Sequence, residues 1–267
     1  MSTLRWALVE WDIVWKNPQE NIQKIEKILP SLKNGCDVIA LPEMFTTGFL
    51  KNPEGMAEAH PGPTLAWMQR MAENFQIALC GTIAAQENQQ IFNRFYWVNP
   101  DKTYFTYDKK HLFRLASEHK NYNAGKNFTI IPYKQWKIKP LICYDLRFPV
   151  WACNRYENDA FEYDLLIYPA NWPTNRIHIW ETLLKARSIE NMCITIGINR
   201  TGVDGNGWAY AGQSMVCFPD GTLLPLEEMR FDDVYVKLVE MDLNRLNQFR
   251  ESFPVALDWD KFEISPI

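Results

Sequence analysis

LRWALVEW (residues 4–11), NPQENIQKIEKILPSLKNG (17–35) and CDVIALP (36–42) together decide the architecture. The first is a strand-like run of mixed apolar residues. Asn17-Pro18 then marks a helix start, with Glu20 placed to complete a cap. Ile22, Ile25, Ile28, Leu29 and Leu32 recur at helical spacing, and Asn34-Gly35 stops the helix. CDVIALP is a short apolar run closed by proline, as expected of a strand buried in a parallel sheet. The order is strand, helix, strand.

The pattern continues outward. Thr64 caps a predicted helix reaching about Asn74, followed by a strand in QIALCGTIAA (76–85). IFNRFYWVNP (91–100) and the run to Asp108 read as a hairpin turned at Asn99-Pro100-Asp101. FTIIPY (128–133), QWKIKPLICYD (135–145), DLLIYPAN (164–171), CITIGINR (193–200) and VYVKLVEM (234–241) are further strands. A helix is predicted over 177–191 and a hairpin over 213–224. No linker, repeat or low-complexity tract interrupts them, so residues 1–267 read as one domain. Helices alternating with about a dozen strands, some antiparallel, imply an α/β protein of layered mixed sheets with helices outside.

Composition narrows the function. Apolar residues make up 47% and charged residues 22%, which excludes a disordered chain. The net charge of −4 argues against nucleic-acid binding. There is no membrane-length apolar run, and MSTLRWALVEWD lacks the pattern of an export signal, so a cytoplasmic location is expected. The six cysteines form no CxxC pair, and the four histidines do not flank them at ligand spacing. Neither a disulfide framework nor a metal site is expected. Nor is an organic cofactor, since no glycine-rich phosphate loop occurs. The 11 tryptophans suit either an aromatic-lined pocket or a rigid core.

Three segments sit just after predicted strands, where α/β proteins assemble their sites. Leu41-Pro42-Glu43-Met44 delivers an acid, and Tyr107 to Phe113 carries two lysines. Leu141 to Pro149 presents Cys143 at a strand-to-helix turn. A thiol there can be activated by nearby cations and helix N–H groups, with a carboxylate as general base. Residue types alone also allow a core thiol at Cys143, a solvated strand end at Glu43 and a surface lysine at Lys110.

ALPEMFTTGF (40–49), YDKKHLF (107–113), LICYDLRFPVW (141–151), and YPANWP (168–173) with HIWETLLKARSIEN (178–191) and GINRTG (197–202) resemble the carbon–nitrogen hydrolase, or nitrilase, family. The resemblance runs in order from about Val9 to Asp242. It implies a four-layer α-β-β-α sandwich, paired into a homodimer or higher homo-oligomer. The family's Glu-Lys-Cys triad maps onto Glu43, Lys110 and Cys143. A second family glutamate, seven residues before a glycine, maps onto Glu118 with Gly125. It would position Lys110 or the substrate nitrogen, unless it is a surface charge in SEHKNYN (117–123).

Nitrilases of the family typically follow the cysteine with Trp-Glu, whereas Tyr144-Asp145 follow it here. CYDLRFP resembles the amidase branch, and NWP with NRTGVDGNG (199–207) resembles bacterial ω-amidases. The resemblance implies hydrolysis of the ω-amide of a small 2-oxo dicarboxylic acid monoamide, of 2-oxoglutaramate or 2-oxosuccinamate type, through a cysteine thioester. Arg147 and Arg176 are cations suited to a substrate carboxylate or to structural ion pairs. Phe45, Tyr144 and Trp172 are expected at the pocket wall, and Asp145 is expected to hold the turn. Two alternatives stand beside this reading: an N-carbamoyl amino acid hydrolase, and an idle family member that only binds a partner.

Overall fold

A computed structural model of the chain describes residues 2–264. Its largest sheet runs, from edge to edge, Glu227–Phe231, Val234–Asp242, Thr3–Trp11, Val38–Ala40, Ala78–Glu87, Gln90–Val98 and Tyr104–Asp108. The short strand Glu58–Ala59 also pairs with Ala78–Glu87. A second sheet runs Met215–Cys217, Ile194–Ile198, Leu165–Pro169, Trp136–Pro140 and Ile131–Tyr133. Both sheets are parallel at the centre and antiparallel at the margins.

Period-two alternation builds the layers. Along Thr3–Trp11, Leu4, Trp6 and Leu8 enter a core shared with Ile138, Leu166 and Ile196 of the second sheet. The alternate residues Ala7, Val9 and Trp11 pack instead with Ile25, Ile28 and Leu29 of the helix Pro18–Leu32 and with Met68 and Ala72 of the helix Pro63–Phe75. Trp180 and Leu184 of the helix Ile177–Glu190 cover the second sheet, closing over Gly197, where any side chain would collide with both. The order is helix, sheet, sheet, helix.

Local signals account for most boundaries. The Asn17 side chain accepts the N–H of Glu20 at 3.2 Å, a cap worth about 1 kcal/mol. The second helix differs from its expected start. Gly62 is its N-cap, while the Glu58 carboxylate takes both the N–H and the hydroxyl of Thr64. A short hairpin of Thr201–Val203 and Ala209–Ala211 is not apparent from periodicity, because its glycine-rich tip has none.

Candidate active site

The ends of five strands converge. Glu43 follows Val38–Ala40, Lys109 follows Tyr104–Asp108, Cys143 follows Trp136–Pro140, Asn171 follows Leu165–Pro169, and Asn199 follows Ile194–Ile198. All but Tyr104–Asp108, an antiparallel edge strand, lie in the parallel centres of the two sheets, whose carboxyl ends are the general placement of α/β sites.

Lys109 is the cation at the centre. Its Nζ lies 2.8 Å from Glu43 Oε1 and 3.1 Å from both carboxylate oxygens of Glu118, with all three side chains buried. Lys110 is therefore not the clustered lysine. Its Nζ sits 5.1 Å from the Trp151 ring centroid instead. Strand alternation explains the one-residue correction: Tyr107 faces the core between the sheets, and Asp108 turns to the other face to pair with Arg94. Lys109 continues the ladder through its N–H to Asn93 O (3.0 Å), so it returns to the Tyr107 side.

The carboxylates are held from several directions. Asn93 Nδ2 donates to Glu43 Oε1 at 2.7 Å and to Glu118 Oε1 at 3.3 Å, and Thr82 Oγ1 donates to Asn93 Oδ1. The Asn171 N–H donates to Glu43 Oε2 at 3.0 Å. Glu118 also receives the Phe113 N–H at 2.6 Å, which places it inside the cluster and not in a solvated loop.

Cys143 opens the short turn Cys143–Arg147 with a positive φ of 40°, a left-handed conformation that strains a residue other than glycine. Asp145 holds this turn. Its carboxylate accepts the N–H of Ile142 at 3.0 Å, the N–H of His111 at 2.9 Å and the hydroxyl of Tyr107 at 2.8 Å. Burial first, then the charge of Glu43, pushes the Cys143 thiol well above its ordinary range, against the opposing pull of Lys109. Burial works against the Lys109 ammonium, but Glu118 and Glu43 outweigh it and raise its pKa. The lysine stays cationic. Burial draws Glu118 upward, opposed by Lys109 and reinforced by Glu43.

Above the cluster lies a narrow cavity, lined by Glu43, Lys109, Cys143 and Asn171 at its floor. Tyr144 and Trp172 form part of its wall, and Arg147 and Arg176 line it too. Phe45 does not. Met44 takes a positive φ of 48°, and Phe45 is buried on the helix side of the sheet, against Trp67 and over Gly81. Phe49, Phe113, Pro173 and Trp208 complete the wall. The arginines paired with carboxylates among the described residues are Arg5, Arg94, Arg187, Arg200 and Arg250, and Arg147 and Arg176 are not among them. Arg147 lies 5.0 Å from the Trp172 ring centroid, and Arg176 lies 5.5 Å from that of Phe113.

The carbon–nitrogen hydrolase family model matches residues 5–251. The chain belongs to the carbon–nitrogen hydrolase family. This hydrolase is 39% identical to a Yersinia enterocolitica protein named omega-amidase YafV, covering 98% of this chain and 99% of that one. It is 32% identical to a Bacillus subtilis 2-oxoglutaramate amidase, covering 96% and 98%. The crystal structure of XC1258, a CN-hydrolase superfamily protein from Xanthomonas campestris with an arsenic adduct in its active site, superposes with a TM-score of 0.94 at 38% identity, covering 99% and 100%. The layered fold expected from the motifs is therefore the one observed.

No helix among the described residues is long and apolar enough to cross a membrane.

Proposed function

We propose that this amide-hydrolysing enzyme is a thiol amidase that releases ammonia from the ω-amide of a small 2-oxo dicarboxylic acid monoamide. The observation that carries the reading is the cavity itself. Its floor holds a thiol, a buried carboxylate and a buried ammonium, and its wall holds two arginines that have no acid partner among the described residues. The named activities of the Yersinia and Bacillus relatives support the same substrate class.

The chemistry follows from the geometry. A thiol with a raised pKa is protonated at neutral pH, so Glu43 takes its proton as Sγ bonds to the amide carbon. The carbonyl π electrons move onto oxygen, and that oxyanion is met by the Lys109 ammonium. The Tyr144 N–H is a second donor, because the turn's ladder begins only at Asp145 N to Ile142 O. One such donor is worth about 3–4 kcal/mol of barrier. Collapse breaks the C–N bond, and the proton held on Glu43 passes to the leaving nitrogen to give ammonia. Water then gives a proton to Glu43 and attacks the thioester carbon, and the C–S bond breaks to return the thiol and the free acid.

A carboxylate entering so apolar a cavity needs a cation, since an unpaired buried charge costs several kcal/mol. Arg147 and Arg176 supply it. Measuring ammonia release from 2-oxoglutaramate, 2-oxosuccinamate, an N-carbamoyl amino acid and a nitrile tests the reading. The 2-oxo amides are expected to be preferred, with turnover lost in Cys143→Ala. Preference for the carbamoyl compound overturns the substrate assignment, and activity in Cys143→Ala overturns the mechanism.

A further inference from the structure

Asn171 carries an acceptor that the protein leaves unused. Its side chain is buried at the cavity floor, and Oδ1 has no hydrogen-bond partner among the described residues. The orientation of the amide is decided by its neighbours. Nδ2 faces two acceptors, the Glu43 carbonyl oxygen at 2.7 Å and Glu43 Oε2 at 3.3 Å, so nitrogen must lie on that side and Oδ1 on the other. A buried acceptor without a partner is destabilising, and a ligand donor entering the cavity removes that penalty.

The cavity's other polar floor groups have different assignments. Lys109 is a donor, Glu43 is the base that receives the thiol proton, and Cys143 forms the bond to carbon. None of these is a free acceptor for an N–H that stays on nitrogen throughout the reaction. We propose that Asn171 Oδ1 accepts an N–H of the substrate's scissile primary amide and so selects amides over esters. This rests on the thiol-amidase reading and extends it to the leaving group. The N–H held by Oδ1 is not transferred: when the C–N bond breaks, the proton completing ammonia comes from Glu43. Holding that N–H turns the nitrogen lone pair toward the proton on Glu43, which the Asn171 backbone N–H also positions. An ester presents an oxygen lone pair to Oδ1 and leaves the acceptor unpaired, the kind of mismatch that discriminates strongly between isosteres.

Binding separates this role from support of Glu43. Cys143→Ala is first shown to have lost ammonia release; if it retains turnover, the thiol reading falls before Asn171 is considered. The affinities of 2-oxoglutaramate and of the ω-methyl ester of the same acid are then measured by titration calorimetry on Cys143→Ala and on Cys143→Ala with Asn171→Ala. The expected result is at least about tenfold tighter binding of the amide by the first protein, and loss of that preference in the second. The ratio is taken within one preparation, so a reduced folded fraction cancels, and Asn171→Ser gives a second, smaller perturbation with the same expected direction. Equal amide and ester binding by Cys143→Ala, or a preference that survives both substitutions, overturns the assignment.

Discussion

Lys109 Nζ and Glu43 Oε1 are 2.8 Å apart with neither side chain open to solvent. A lone buried carboxyl would resist ionisation, and a lone buried amine would resist protonation. Placed together, and with Glu118 also hydrogen-bonded to the lysine, they are the base and the electrophile of the proposed reaction, side by side beneath the cavity. The pair is better understood as a device for chemistry than for stability, because desolvation consumes most of the gain from a buried ion pair.

Removing the lysine therefore has two expected consequences. Lys109→Met leaves Glu43 and Glu118 buried without their counter-ion, which costs about 3–5 kcal/mol of folding stability. It also removes the cation proposed to meet the oxyanion, and turnover is expected to fall below detection. Lys110→Met loses only a contact with the Trp151 ring and is expected to keep most of its activity. Thermal unfolding and ammonia release measured on both variants check this, and the reverse pattern would return the role to Lys110.

The thiol gives a prediction about pH. Burial and Glu43 raise Cys143 well above the ordinary thiol value of 9.0, so its thiolate fraction still climbs at that pH. Inactivation by iodoacetamide is expected to accelerate about tenfold per pH unit from 7 to 9 with no plateau. Glu43→Gln removes a charge that opposes the thiolate and leaves Lys109 beside it. Alkylation at pH 8 is then expected to quicken while turnover disappears. A plateau below pH 9, or slower alkylation in Glu43→Gln, contradicts the electrostatic account.

Much of this site is legible in the sequence, and the misplacements have physical causes. Glu43 and Cys143 stand at the ends of apolar runs whose strand character is plain. Lys109 and Lys110 differ only in which face of a strand they continue. The informative signal is the alternation of Tyr107, inward, and Asp108, outward against Arg94, which points to Lys109. Phe45 is nearer than Phe49 to the acid, but the positive φ at Met44 breaks any extrapolation from the strand. Phe113 and Trp208 reach the cavity from loop segments without periodicity, and tertiary packing alone brings them there. Asn93 and Asn171 are polar residues within or just after strand runs, and their burial, not their position, marks them.

Gly125 links the backbone to the cluster. Its N–H donates to Lys109 O at 2.9 Å, and a Cβ there would collide with the carbonyl oxygen of Asp108. Gly125→Ala must push the segment or the end of the strand aside, which costs about 1–3 kcal/mol and displaces Lys109. A misplacement near 1 Å in a catalytic group lowers rates about 100-fold. The expected outcome is a large loss in kcat with KM little changed, measured on the soluble variant. An unaltered kcat would show that the glycine does not set the lysine's position.

The two arginines decide whether the cavity reads a carboxylate. Each guanidinium lies over an aromatic ring of the wall, a cation–π contact that leaves it without a carboxylate partner among the described residues. A charge-assisted hydrogen bond to a carboxylate is worth about 1.5–3 kcal/mol, or roughly 10- to 150-fold in kcat/KM. Arg147 follows Cys143 by four residues on the same rigid turn, so it is expected to make the larger contribution. Remote binding energy also aligns the amide against Sγ, so loss of the contact is expected to lower kcat as well as raise KM. Kinetics of Arg147→Met, Arg176→Met and the double variant with 2-oxoglutaramate and butyramide form a cycle that separates the two side chains. Each single variant is expected to lose activity on the keto acid amide while butyramide hydrolysis changes little. If both keep the wild-type discrimination, neither arginine reads the carboxylate. If the unsubstituted enzyme itself prefers butyramide, the substrate class is wrong and only the thiol chemistry of the cavity floor survives.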